Sequence, residues 1–600
     1  SISEAIAKST ITGELLSSVS SLLAGDSKKK GDEERTIDTL GLEHLQKKVE
    51  TELFEVTIRV VTSAGDLETA EQTMSELQSA FNQFDDQEGN RIKFKLHKGI
   101  NLRQAQRAFS FRQFNQKHAL PLNRKELATM IHFPEEGTVD SPQFKQSHSK
   151  TAPAPTDMPT EGTLLGNNVH RGVEKPIWVT EKDRMRHFYV IGQTGTGKSV
   201  FLKNLITQDI QAGHGVCMID PHGTDIEDVL GAVPPEREQD VIYFDPSYMD
   251  RSIGLNMLEY DPKKPEQKTF IVGELLAIFQ KLYGANPEAL GPMFEQYFRN
   301  ATMLVMEDPD SGNTLMDIGR VMADAKFRRH KLQRATNQVV VQFWQDIASK
   351  AGDQASLENI VPYIVSKIDP LTANDYIRPI VGQQTSSFNF RQIMDERKIL
   401  LVNLSKGRLG EVNANLIGMI IVGKILMAAL SRVDDPTQSF PPFYLHIDEF
   451  QNVSTNSIAS ILSEARKYKL GLSVAHQFIA QLDPVIKDAV FGNVGSLAAF
   501  RVGPEDAQFL EHQFAPVFSA NDLMNTPNWN ANVRLLANGK PTPPFSLSAM
   551  PPYERDHDRV QSLMSASYER YGRPRAEIEE EIRVRYQKTV PPVPKQSGIV

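Results

Sequence analysis

The sequence predicts an α/β protein: a strand-and-helix domain built on a buried sheet, interrupted by an all-α insertion and preceded by a small α+β domain. Three observations predict it. Short apolar runs at His187–Ile191, Gly215–Asp220, Ile399–Leu404, Pro442–Ile447, Leu470–Ala475 and Leu497–Phe500 read as strands buried on both faces, alternating with helical patterns. From Pro265 to about Arg397 the apolar spacing is almost wholly helical, in Phe270–Tyr283, Met293–Met306, Leu315–Met322 and Val339–Ile347. Ahead of both, apolar and polar residues alternate from Glu52 to Thr62, and Leu67, Ala70, Met74, Leu77, Phe81 and Phe84 then recur at helical spacing.

Six hundred residues exceed what one hydrophobic core holds. The expected division is a polar segment at 1–50, a small α+β domain at 51–134, a linker at 135–160, the first part of the strand-and-helix domain at 161–264, the insertion at 265–397, the second part at 398–550, and C-terminal helices and tail at 551–600. The charge block from Lys28 to Arg35 suits a solvated segment. Ile92-Lys93-Phe94-Lys95-Leu96 alternates again and is expected to be the second strand of the small domain. Between Arg91 and Lys125 stand ten Lys or Arg and no Asp or Glu, with Phe109, Phe111 and Phe114 interleaved. That stretch suits a phosphate backbone with aromatics for stacking, or equally a basic face toward acidic neighbours, a subunit or lipid headgroups. Glu135–Thr160 is rich in Ser, Thr, Pro and Gln, which fits a linker or a long surface excursion.

Bulk properties exclude some classes. The net charge of -9 does not mark the whole chain as a nucleic-acid binder, so any such surface is local. One cysteine, Cys217, lies in an apolar run and reads as a buried small hydrophobe in a reducing compartment, not as part of a disulfide framework. Leu416–Leu430, the best membrane-span candidate, is short and carries Lys424, so it reads as a buried helix. The chain starts at Ser1, which leaves a processed product or a missing upstream membrane segment as expectations.

The chemistry begins at Gly192-Gln193-Thr194-Gly195-Thr196-Gly197-Lys198-Ser199, between the strand ending at Ile191 and the helical pattern of Val200–Gln211. Such a loop turns backbone N–H groups onto phosphates; Lys198 reaches the terminal ones, and Ser199 suits Mg2+ at a helix start that favours anions. The strand Pro442–Ile447 ends in Asp448-Glu449, where the first acid suits Mg2+ through water and the second suits polarising an attacking water. Lys198 and Asp448 lie 250 residues apart, far more than two neighbouring strands need, and the helical insertion accounts for the distance. Within it, Lys326-Phe327-Arg328-Arg329-His330-Lys331 reads as a solvated helix face, with a DNA or partner contact as the alternative. Tyr553–Gln587 reads as one or two peripheral helices, and Pro591-Pro592-Val593-Pro594 as a loose tail.

These motifs, with Ile219-Asp220-Pro221-His222-Gly223, Ala465-Arg466-Lys467 and Ala475-His476-Gln477 in this order, resemble the HerA/FtsK superfamily of P-loop motors, and within it the TraG/TraD-like coupling ATPases of type IV secretion and conjugation. The likeness spans roughly Gly162 to Ala549. It implies a RecA-like nucleotide-binding domain, ATP and Mg2+ as cofactors, and a ring, usually of six copies, that moves single- or double-stranded DNA or another substrate. It also implies type IV secretion machinery and relaxase-like substrates as partners, a membrane anchor outside this chain, and a bacterial cytoplasmic location, at the inner membrane's cytoplasmic face where such an anchor exists. Arg466, eighteen residues beyond Asp448, matches an arginine supplied to the neighbour's nucleotide, and Gln477 a sensor of the terminal phosphate or the water. Without the resemblance, Arg466 is a surface helix residue and Gln477 a polar strand terminus. Arg501 is a second finger candidate. His222 stands where many relatives carry lysine, so the resemblance gives that position no phosphate role. A soluble HerA-like translocase and a protein-translocating secretion ATPase are the alternative readings, and a nucleotide-gated scaffold with little turnover is a third.

Overall fold

The computed structural model describes residues 39–85, 92–131, 150–284, 290–350, 356–435 and 439–587. The chain divides into two compact units, Ser1–Lys145 and Gln146–Val600. The charge block at 28–35 and the prolines at 591–594 lie outside the described residues.

In the first unit, helices Thr39–Val49, Leu67–Ala80, Ile100–Ser110 and Arg124–Met130 accompany one antiparallel pair, Leu53–Val56 with Leu120–Asn123. The strand expected at Ile92–Leu96 does not form: 92–98 has no regular structure, and Leu120–Asn123 takes the pairing position. An alternating run becomes a strand only where a free edge and a core accept it. Here Phe94 and Leu96 stay exposed, whereas Leu120–Asn123 is held at its end by a reciprocal Asn123–Glu126 capping box, with Lys48 on the same carboxylate at 3.1 Å. In the basic stretch, Arg103, Arg107, Arg112 and Lys117 are all exposed, as are Phe109, Phe111 and Phe114.

The second unit is built on an eleven-stranded sheet. Its strands are β1 (Thr163–His170), β2 (Val173–Val179), β3 (Phe188–Ile191), β4 (Gly215–Asp220), β5 (Val241–Phe244), β6 (Ile399–Asn403), β7 (Phe443–Ile447), β8 (Leu470–His476), β9 (Ser496–Ala499), β10 (Asn530–Arg534) and β11 (Phe545–Ala549). They lie in the order β2-β1-β11-β10-β9-β3-β8-β7-β4-β6-β5. From β9 to β5 every pairing is parallel, and from β9 back to β2 every one is antiparallel. The parallel strands are buried along their whole length, as their continuous apolar sequences require once helices cover both faces.

The covering helices include α1 (Lys198–Gln211), which follows β3, and the insertion between β5 and β6 is helical, led by α2 (Gln267–Tyr283), α3 (Pro292–Glu307), α4 (Leu315–Ala323), α5 (Ala325–Arg334) and α6 (Leu357–Thr372). After β6 comes α7 (Glu411–Leu430), whose continuation to Asp434 is long and apolar enough to cross a membrane; 78% of its apolar window is buried inside the protein, as a core helix requires.

Three expectations change on contact with packing. Of the two readings of the run Thr151–Pro155, the free linker gives way to a packed surface segment: Thr151 and Pro153 are exposed, while the Ala152 N–H donates to Ser546 Oγ (3.2 Å), the Ala154 N–H to Asn168 Oδ1 (2.9 Å), and Ala152 and Met158 are buried. The run Lys326–Lys331 on α5 is only partly a solvated face, because the buried Lys331 ammonium donates to the carbonyls of Val305, Asp308 and Gly312, and Arg328 to those of Val321 and Met322. Both cations satisfy carbonyls at helix ends, where the helix dipole also favours positive charge; Lys326 and Arg329 remain exposed. The expected C-terminal helices are two, α8 (His557–Tyr571) and Arg575–Gln587, and α8 is not peripheral either. It covers edge strand β5: Ser567 Oγ accepts from the Tyr243 N–H (2.8 Å), and the buried Tyr568 hydroxyl donates to the Asp245 carbonyl (2.6 Å). A covered edge cannot template pairing with another chain.

At the sheet edge where the parallel strands begin, the buried Arg184 forms a two-pronged pair with Asp209 at the end of α1; its Nη2 lies 2.8 Å from Oδ2. His446 of β7 bonds the same Oδ2 at 3.1 Å, and the guanidinium lies 4.1 Å from the Tyr444 ring centre. Removing one member leaves an unpaired buried charge. Arg184→Ala is therefore expected to destabilise the second unit by roughly 3–5 kcal/mol, and adding Asp209→Leu to recover much of that loss. Denaturation midpoints of the two variants check it; a double variant weaker than the single one would contradict it.

Candidate functional site

The strand-to-helix turn after β3 is shaped by its glycines. A side chain at Gly192 would meet Phe500 Cβ at 2.6 Å, and Gly197, which caps α1, has φ of 114°. Thr196 Oγ1 donates back to the Gln193 carbonyl (2.7 Å), while the Gln193 N–H donates to the Arg501 carbonyl (2.8 Å). The loop is thus closed on itself and fastened to the end of β9.

The end of β7, separated from the loop's own β3 by β8 and so not its neighbour in the sheet, brings the acids to it. Ser199 Oγ donates to Asp448 Oδ2 at 3.0 Å. Burial pushes the Asp448 carboxyl up to about 6, opposed by the Lys198 ammonium. Lys198 is itself buried, which lowers its ammonium below the usual range against the pull of Asp448 and Glu449; its Nζ reaches the Gln193 carbonyl at 3.4 Å.

Glu449 follows in the left-handed region, at φ of 47°. Its Oε1 lies 3.3 Å from Gln477 Nε2 and 3.4 Å from His222 Nε2, and its Oε2 accepts from Asn452 Nδ2 at 3.3 Å. The carboxylate accepts from a donor at the end of β8 and from one in its own turn, and the His222 imidazole after β4 lies against it. Gln477 follows His476, whose buried imidazole is pushed down to about 3 by burial and by Lys198, and which bonds the Tyr189 hydroxyl.

The structure therefore brings together Gly192, Gln193, Thr194, Gly195, Thr196, Gly197, Lys198, Ser199, Asp448, Glu449 and Gln477, at the carboxyl ends of parallel strands, where open α/β sheets place their ligands. It does not bring Arg466 there. That residue is exposed in the short turn Ala465–Tyr468 ahead of β8, at the opposite edge of the sheet. A seven-residue strand separates it from Gln477, about 20 Å and well beyond one arginine's reach. Arg501, the second finger candidate, lies at this chain's own loop, its Nε 3.4 Å from Gln193 Oε1.

Sequence reasoning missed three contributors. His222 faces Glu449, Asn452 holds that carboxylate, and Trp529 donates its N–H to the Thr196 carbonyl at 2.9 Å. A polar residue three positions after Glu449 was a usable signal for Asn452; nothing local marks Trp529. Asp220 is structural, since its carboxylate accepts from the N–H groups of His222 and Asp225 and so holds the turn after β4.

Among the described residues no group of three or more His, Cys, Asp or Glu is arranged to hold a metal alone. Ser199 and Asp448 offer two oxygens, the donor set for a hard divalent cation that completes its shell with phosphate and water.

Residues 166–467 match the family model of the central domain of helicase HerA. The chain belongs to the HerA helicase family. This HerA-family chain carries a P-loop ATPase site, and ATP and Mg2+ fit its residues. No curated protein matches it. Among solved structures it is similar to the unbound bacterial conjugative coupling protein TrwBdeltaN70, at 17% identity and a TM-score of 0.47, over 67% of this chain and 91% of that one. The plasmid coupling protein TrwB in complex with ADP and Mg2+ matches at 17% and 0.47, over 67% and 92%. VirB4 of Thermoanaerobacter pseudethanolicus matches at 14% and 0.42, over 66% and 97%.

Proposed function

We propose that this HerA-family ATPase is a DNA-translocating motor of the secretion and conjugation coupling type, working as a ring, usually of six copies, with ATP sites shared between neighbours. One observation carries the reading: a single chain assembles the phosphate loop, both acids and Gln477, and leaves Arg466 exposed at the far edge of the sheet, as a site completed by a second copy requires.

In this reading each residue has a role. The loop N–H groups and Lys198 would bind the phosphates; Ser199 and Asp448 would hold Mg2+, which would neutralise charge on the phosphate oxygens. Glu449 takes the proton of the attacking water, Gln477 reads whether the terminal phosphate is present, and Arg466 of the neighbouring copy stabilises the charge that develops on it. His222 and Gln477 both engage Glu449 Oε1, so the carboxylate is oriented from two strand ends before water arrives. Partner machinery of the type IV kind and an anchor at the membrane belong to the same reading.

The cargo is tested by ATP turnover with and without single- and double-stranded DNA. Stimulation by one or both is expected. Robust turnover indifferent to all DNA would remove DNA as the substrate and favour moving a protein.

A further inference from the structure

The phosphate loop has two flanks. On one lie Asp448, Glu449 and Gln477, which the proposed function sets against the terminal phosphate. A nucleoside triphosphate bound with that end there must run its sugar and base toward the other flank, where β9 stands beside β3 and β10 lies beyond it.

On that flank sits Trp529. Its φ is 64°, a region that a bulky side chain rarely adopts and that persists only where surrounding structure imposes it. The surroundings do impose it: its N–H donates to the Thr196 carbonyl of the loop (2.9 Å), and its carbonyl accepts from the Ala549 N–H of β11 (2.8 Å). The result is an indole laid against the loop. A Cβ built on Gly197 would lie 3.3 Å from Trp529 Cε3 and 3.3 Å from its Cα, so the loop glycine makes room for the ring. Yet 47% of Trp529 is exposed, while Trp344, a packing tryptophan in the helical insertion, is 4% exposed. A large ring held in a strained conformation, pressed on a phosphate loop by one part and open to solvent by the rest, is poorly explained by core packing.

We propose that Trp529 is the platform on which the base of the bound nucleotide stacks. The inference rests on the nucleotide reading of this loop. Stacking uses the face of a base and not its hydrogen-bonding edge, so the platform takes adenine and guanine alike.

The test compares Mg2+-ATP with Mg2+-tripolyphosphate, which has the phosphates and no base, by calorimetry on the parent, Trp529→Gly and Trp529→Phe. Glycine accepts the positive φ, so it removes the ring without adding strain. Trp529→Gly is expected to lose roughly tenfold or more in ATP affinity, with tripolyphosphate unchanged within about twofold, and Trp529→Phe to keep ATP within about threefold of the parent. Unchanged ATP affinity in Trp529→Gly, or equal weakening of both ligands, overturns the proposal; the second outcome makes the indole a support for the loop. A parent that binds neither ligand overturns the nucleotide reading and this inference with it.

Fluorescence gives an independent readout that needs no glycine variant. Of the three tryptophans, Trp344 is buried in the insertion and Trp178 lies on β2 at the far edge of the sheet. ATP is expected to quench the parent's emission, tripolyphosphate to leave it unchanged, and Trp529→Phe to show no ATP response. An equal response of the parent to both ligands, or an ATP response kept in Trp529→Phe, overturns the platform.

Discussion

Glu449→Gln is expected to lower ATP turnover by about two to four orders of magnitude while ATP binding survives. The substitution is close to isosteric, and the left-handed backbone at Glu449 costs glutamine what it costs glutamate. A glutamine oxygen can still accept from Asn452 or from Gln477, so the turn keeps its shape. What the amide cannot do is take a proton. Single-turnover hydrolysis alongside equilibrium nucleotide binding separates the two effects. A rate within about threefold of the parent would mean that Glu449 is not the base, and would favour the scaffold reading in which the chain binds ATP and turns over little.

The site was legible in the sequence where its chemistry is local. The loop from Gly192 to Ser199 is one continuous motif, and the strand Phe443–Ile447 announces itself because burial on both faces demands an unbroken apolar run. Asp448 and Glu449 then follow from their place at its end. Contributors that arrive from a distance were invisible. Trp529 reaches the loop from more than three hundred residues away, by way of an antiparallel edge that no local pattern encodes. His222 is hidden in the sequence because a histidine in place of lysine speaks only against a phosphate role, whereas its neighbour in the fold is Glu449.

The misread segments fail for one physical reason. Periodicity and composition describe a segment, while its state depends on what it meets. Ile92–Leu96 alternates like a strand and finds no edge; Thr151–Pro155 has the composition of a linker and lies hydrogen-bonded against Asn168 and Ser546. Lys331 has the look of a solvated charge and is enclosed by three carbonyls, a destination set by how α3, α4 and α5 pack.

Arg466→Ala is expected to lower hydrolysis by about three to five orders of magnitude, the range for a lost arginine finger, while leaving ATP affinity close to the parent's. Within one chain the residue has no route to the phosphates. It stands beside the start of β3, where the buried His187 imidazole is pushed down to about 4 by burial and by the Arg466 charge, and the loop lies past the other end of that strand. A large loss therefore requires a second copy to present it. Mixing makes the requirement visible. Lys198→Ala lacks the phosphate contact and keeps the arginine; Arg466→Ala has the reverse defect. In a ring of head-to-tail contacts assembled at random from equal amounts of the two, about one quarter of the interfaces pair an intact loop with an intact arginine, so turnover should return to a measurable fraction of the parent's. Each variant alone stays inactive. If mixing restores nothing although the two co-assemble, or if Arg466→Ala alone hydrolyses at the parent's rate, the sites are not shared through this residue. Arg501, already at the chain's own loop, would then be the arginine to test.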